Sequence, residues 1–204
     1  MRSLMISIVC LLAAPALVSA QLLTNGDIET NATGQFGGIG NWGPNGGWAA
    51  HSGFVKPNNG SLGLNFGFMS AQTTETVGQK SSALFETGKT YTFSSWANTG
   101  GNPEGEIVYQ IGYDDGAGAF VVLNTLPYNI DNQESWTSLA GVAYSTSAAG
   151  PEIGKTVWVR LGDGVAGDPG RGDVWFDNLS LVVTPEPTSL VLLGLAAVGL
   201  LRRR

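Results

Sequence analysis

One cysteine, one histidine and a charged fraction of 13% set the first limits on this chain of 204 residues. The cysteine is Cys10, inside an apolar leader, so the body of the chain has no disulfide, no thiol nucleophile and no thiolate metal site. His51, the lone histidine, leaves no imidazole cluster for zinc, and no nucleophile elbow accompanies it to suggest a Ser-His-Asp triad. Bases are scarce too. Between Gln21 and Thr184 there are six of them against fifteen acids, so no basic patch exists to neutralise phosphates, and nucleic acid is not an expected partner. No stretch of that span has convincing helical spacing and no segment repeats, while low charge with ample aromatics argues against disorder.

What the chain does have is glycine, 30 residues of it, and six Trp. Abundant glycine without a triplet repeat suits tight turns between short strands. The hydropathy has period two: Ile107, Tyr109, Ile111 and Tyr113 alternate with Val108, Gln110 and Gly112. The run Asp114-Asp115-Gly116-Ala117-Gly118 then turns the chain into a second strand over Ala119 to Thr125, a hairpin. Leu62 to Met69, Thr76 to Phe85, Lys89 to Ala97, Ser135 to Tyr144, Thr156 to Leu161 and Val174 to Val183 read as the other strands. About eight strands without crossover helices predict an all-β fold, two antiparallel sheets packed as a sandwich.

The two ends read as addresses. Arg2, the apolar stretch Leu4 to Leu17 and the small-residue site Val18-Ser19-Ala20 form a secretory signal peptide, helical while intact and cut between Ala20 and Gln21. At the other end Pro185-Glu186-Pro187 precedes an apolar run from Leu190 to Leu201, closed by Arg202, Arg203 and Arg204. At ~1.5 Å per residue a helix over 188–201 spans roughly 21 Å, short of the ~30 Å hydrocarbon core, so it is a marginal membrane helix. These three parts, in this order, resemble the bacterial PEP-CTERM sorting signal. The resemblance implies a transient hold in the inner membrane, cleavage near the PEP motif by an exosortase, and delivery to the cell surface or extracellular matrix. The expected division is therefore 1–20 signal peptide, 21–184 sandwich domain and 185–204 sorting signal.

Three short motifs refine the domain. Asn25-Gly26-Asp27-Ile28-Glu29 opens it, Lys89-Thr90-Tyr91-Thr92-Phe93-Ser94 lies within it, and Trp175-Phe176-Asp177-Asn178-Leu179-Ser180-Leu181 closes it. In that order they resemble galactose-binding-like jelly rolls, the fold of many carbohydrate-binding modules. Strict alternation sets Asp177 on one row with Trp175, Leu179, Leu181 and Val183, where an acid needs a partner or a cation. The resemblance implies a structural calcium ion joining the first and last strands, with Glu29 and Asp177 as side-chain ligands and Asp27 or nearby carbonyls assisting. Oxygen-only donors suit calcium rather than zinc or copper.

Sugar rings stack on aromatics and exchange hydrogen bonds with polar side chains. The candidates for that work are Trp42, Trp48 and His51, in a Gly-, Asn- and Pro-rich segment before the first clear strand, and Trp96 and Arg160 on central strands. Paired carboxylates for glycoside hydrolysis are conceivable among Glu104, Glu106, Asp163, Asp168 and Asp173, but these acids sit in or beside glycine-rich turns. The expected function is that of an exported, exosortase-sorted envelope or matrix protein whose sandwich binds polysaccharide without catalysis. A matrix protein that binds no sugar, and a secreted hydrolase, are the alternatives.

Overall fold

A computed structural model of the chain describes residues 22–28, 53–57, 65–69, 76–99, 104–131, 136–163 and 174–185. Nine strands run through them: β1 Gly53–Pro57, β2 Asn65–Met69, β3 Thr76–Leu84, β4 Lys89–Asn98, β5 Glu104–Asp114, β6 Phe120–Asp131, β7 Thr137–Ser145, β8 Thr156–Asp163 and β9 Val174–Pro185. They form two antiparallel sheets, ordered β1-β2-β9-β4-β7 and β3-β8-β5-β6. The all-β, two-sheet expectation holds. The two terminal helices expected from the sequence, the cleavage site at Ala20 and Gln21, and the sorting residues Glu186, Pro187, Arg202, Arg203 and Arg204 lie outside the described residues.

The period-two pattern becomes the core. Tyr91 and Phe93 of β4, Ile107, Tyr109 and Ile111 of β5, and Val157, Val159 and Leu161 of β8 are buried between the sheets. Tyr109 ties the layers together, because its hydroxyl shares a 2.6 Å hydrogen bond with Ser95 of the opposite sheet. Burial pushes that phenol's pKa up, so it remains a neutral hydrogen-bonding group. Even-numbered residues of β4, β5 and β8 consequently point away from the core, on the two outer faces.

The opening segment closes one edge. Leu23 and Ile28 enter the core, and Thr24 exchanges two hydrogen bonds with the Gln79 side chain of β3, at 2.6 and 2.8 Å. Leu179 of β9 donates to the Gly26 carbonyl at 2.7 Å, so this segment bridges the two sheets.

Three departures from the sequence reading have physical causes. Strand β1 lies in the segment read as a loop; at five residues it pairs wholly with β2, at the sheet's edge. Strand β6 continues past Thr125 through Pro127, which sits opposite Val108. A proline is tolerated there because β6 is an edge strand and one side of it needs no ladder donor. Last, β9 does not alternate strictly. Asn178 has φ 46°, and the pairing with β4 slips between Ser94 and Trp96. This bulge turns Phe176, Leu179 and Leu181 into the core and removes Asp177 from the leucine row, setting it opposite Trp96 instead.

Candidate functional site

The outer face of the four-stranded sheet collects the side chains that suit recognition. Strand β8 alternates cleanly: Val157, Val159 and Leu161 face the core, so Trp158, Arg160 and Gly162 face outward. The register sets Lys80 of β3 and Gly112 of β5 on either side of Trp158, and Gly78 and Gln110 on either side of Arg160. Phe120 of β6 reaches over the first of these rows. Its ring meets Trp158 edge-on at 5.1 Å, and the Arg160 guanidinium stands 4.6 Å from its centroid. Glycine at 112 makes this possible, since a Cβ there would lie 2.1 Å from the Val121 carbonyl oxygen and 2.9 Å from the Phe120 ring. Phe120, Arg160 and Gln110 are half-buried and form the surface, whereas Trp158 is 3% exposed and forms the floor.

Polar groups frame that floor. Lys80 stands 4.8 Å over the Trp158 ring and pairs with Asp114. Asp114 also accepts the amides of Gly116 and Gly118 at 2.8 and 3.0 Å. The Lys80 hydrogen bond, helped by those amides, lowers its pKa to about 2. Arg160 donates to Thr76 Oγ1 at 3.2 Å. Two donors remain unused: the indole N–H of Trp158 and the Nε–H of Arg160, both buried and without an acceptor. Burial lowers the pKa of the guanidinium, and among the described residues no carboxylate offsets it.

The five-stranded sheet presents a different outer face. Trp96 stands on it between Ser138 of β7 and Asp177 of β9, and Phe66 stacks on Trp175 at 4.8 Å and meets Trp136 at 5.6 Å. Trp96 and Arg160, read together from the sequence, therefore lie on opposite sides of the sandwich. Trp42, Trp48 and His51 lie outside the described residues. The sequence reading overlooked Trp158 and Phe120, although the alternation in Val157-Trp158-Val159-Arg160-Leu161 already sets Trp158 beside Arg160.

Asp177 is fully buried, and its Oδ1 accepts the Asn178 amide at 2.6 Å. Three non-glycine residues with positive φ, Asn25 at 53°, Ile28 at 62° and Asn178 at 46°, gather where the opening segment meets β9. Such backbone costs on the order of 1–3 kcal/mol per residue and marks a junction held by its surroundings. Asp27 is exposed, and Glu29 lies outside the described residues. Among the described residues no three His, Cys, Asp or Glu side chains gather, so of the expected cation ligands those residues offer Asp177 and nearby main-chain carbonyls. The oxygen-only chemistry fits calcium.

Of the acids weighed for hydrolysis, only Glu106 has a described side chain. Glu106 stands opposite Asn129 on the outward row, Glu104 opposite Asp131, and Asp163 opposite Ile107, which belongs to the core row. Asp168 and Asp173 lie outside the described residues. A cleft of about 660 Å³ at one end of the sandwich is lined by Leu22, Leu84, Phe85, Tyr91 and Val183 among others. The Tyr91 hydroxyl there is already engaged, donating to the Leu84 carbonyl and accepting from the Glu86 amide.

Residues 20–157 match the family model of a carbohydrate binding domain, CBM_4_9. The chain belongs to that family. Residues 183–204 match the PEP-CTERM protein-sorting motif. Among solved structures, a cyclase from Fischerella sp. TAU is similar at 18% identity and TM-score 0.65, over 80% of this chain and 96% of that one. A family 16 carbohydrate binding module is similar at 22% identity and TM-score 0.51, over 79% and 99%. An α-L-arabinofuranosidase shares the fold at 18% identity and TM-score 0.54, over 81% of this chain and 26% of its own. No curated protein sequence matches. At these identities the structural likenesses establish the jelly-roll fold alone.

Proposed function

We propose that this protein is an exported, exosortase-sorted carbohydrate-binding protein that takes its glycan on the outer face of the four-stranded sheet, without catalysis. One observation carries the location. Trp158 and Arg160 each hold a buried N–H with no acceptor, side by side on the outward row of β8. A buried donor left unpaired costs roughly 1–3 kcal/mol, a debt that a ligand oxygen cancels. Polysaccharide oxygens are such acceptors, and Phe120 offers an apolar surface for a ring face.

The sorting motif supports export and removal of the tail by an exosortase, with an inner-membrane stage held by the apolar run 190–201. Among the described residues no helix is long and apolar enough to cross a membrane. Leu22, just after the proposed leader, and Val183, just before the sorting tail, line the same cleft. A chain tethered at either terminus thus has this end toward the bilayer and the glycan face along its side. Calcium at the junction of Asp177 with the opening segment is the structural cofactor this reading includes. EDTA is then expected to lower Tm by several degrees and added calcium to restore it; an unchanged Tm in EDTA rejects the ion.

Affinity electrophoresis of the full chain against a polysaccharide panel tests the binding site. Phe120→Ala is expected to lose at least tenfold in affinity and Trp96→Ala less than twofold. The reverse ranking would move the site to the five-stranded sheet. Turnover of any glycan in the panel would make the protein an enzyme and end the non-catalytic reading.

A further inference from the structure

Among the described residues Arg160 is a cation without an anion, in a domain rich in acids. Fifteen acids face six bases between Gln21 and Thr184. Lys80 has taken Asp114, and Lys89 lies 3.9 Å from Glu86. Among the described residues Arg160, half-buried and more costly to leave unmatched than either, has only the Thr76 hydroxyl, the Phe120 ring and an unused Nε–H.

The groups around it sharpen the mismatch. Asp114 is committed to Lys80 and two backbone amides. Glu106 is four residues from Gln110 along β5, about 13 Å away at strand rise, beyond the ~8 Å screening length at physiological salt. The described charged side chains on this face are therefore Lys80, Arg160, Asp114 and Glu106, and none of the acids reaches the guanidinium. Trp158, two positions along the same row, adds another donor and no acceptor. The face has donors in surplus and, at Arg160, a guanidinium beside an apolar ring with no described carboxylate next to it.

A neutral sugar hydroxyl satisfies an N–H but leaves the charge as it was. A carboxylate does both, since its two oxygens match the planar fork of a guanidinium and charge-assisted bonds are about twice as strong as neutral ones. From the unpaired guanidinium of Arg160 and the adjacent acceptor-less indole of Trp158, we infer that this face selects uronic-acid polysaccharides, with Arg160 taking the sugar carboxylate. The inference rests on the glycan-binding reading above and narrows it to a substrate class.

The test uses full-length protein in non-ionic detergent. It is run by affinity electrophoresis at pH 7 against alginate, polygalacturonate and a glucuronan, each beside its carboxyl-reduced form. At least one acidic polymer is expected to retard the protein at a tenfold lower concentration than its reduced counterpart. Arg160→Gln is expected to erase that margin, and Arg160→Lys, which keeps the charge but not the fork, to retain only part of it. Reduced polymers that bind as well as their acidic parents overturn the inference while leaving glycan binding intact. That contrast needs no variant, so it stands even if Arg160→Gln fails to fold. A margin unchanged in a folded Arg160→Gln protein overturns it too. So does retardation by a sulfated galactan in the absence of any by uronates, which assigns the cation to sulfate. No retardation by any polymer, acidic or reduced, removes the glycan site itself and the inference with it.

Discussion

Both outer faces of the sandwich carry aromatic side chains and use them in different ways. On the five-stranded sheet Phe66, Trp136 and Trp175 pack on one another, and the buried Asp177 beside Trp96 takes the amide of its own bulge. Those groups pack against each other and hold the last strand in place. On the four-stranded sheet Phe120 and Trp158 also touch, but glycines at 78, 112 and 162 alternate with the large side chains, and two buried donors are left over. Aromatic residues alone therefore do not mark a binding face. What the four-stranded face adds is a half-buried guanidinium, with no carboxylate beside it among the described residues, set against an apolar ring.

Trp158→Ala should produce the largest effect of any change that probes this contrast. Removing a buried indole costs on the order of 3–5 kcal/mol, so the denaturant midpoint falls steeply and glycan binding disappears with it. Trp158→Phe separates the two losses by keeping an aromatic floor without the N–H: most of the stability returns, while affinity stays at least several-fold down. Full affinity in Trp158→Phe would show that the spare indole N–H plays no part in recognition.

Glycine substitutions come next in size, and they divide the faces without touching an aromatic. Gly141 of β7 has φ 73°, and a Cβ there would fall 1.9 Å from the Phe93 carbonyl oxygen. Gly112→Ala collides with Val121 and the Phe120 ring. Overpacking of this kind costs about 1–3 kcal/mol, with strain added at Gly141 for its positive φ. Both alanine variants should melt early, but only Gly112→Ala should weaken glycan binding beyond what lost stability explains. Equal binding loss in the two, corrected for the folded fraction, would erase the distinction between the faces.

Much of this was legible in the sequence. Alternation in β4, β5 and β8 announced the strands and the core, and the Pro-Glu-Pro tail announced the sorting motif. What alternation cannot reveal is which sheet a strand joins, because parity fixes inside and outside but not left and right. Trp96 and Arg160 both read as outward, and only the pairing of β4 with β9 and of β8 with β5 puts them on opposite sides. The bulge at Asn178 was hidden for a related reason. It inserts one residue, and every later position then changes face without any change in composition. Strand β6 also outran its sequence reading, because a proline at 127 is tolerated once the strand is an edge.

The smallest predicted effect is a flat response to pH. Asp114 holds Lys80 over Trp158, and its pKa is lowered to about 2, chiefly by the Lys80 hydrogen bond and then by the Gly116 amide. A depressed carboxyl contributes stability above its unfolded value and loses it as pH falls through the folded one, so this pair is intact from pH 4 to 8 and opens only near pH 2–3. Arg160 stays charged throughout, its unperturbed value lying far above this range. Glycan affinity measured at pH 4, 6 and 8 should therefore vary less than twofold on account of the protein. If a midpoint did appear in that window and vanished in Asp114→Asn, the pair would be titrating where its hydrogen bonds say it cannot. The rigid frame assigned to the four-stranded face would then be lost, and with it the contrast to the packed aromatic cluster on the other side.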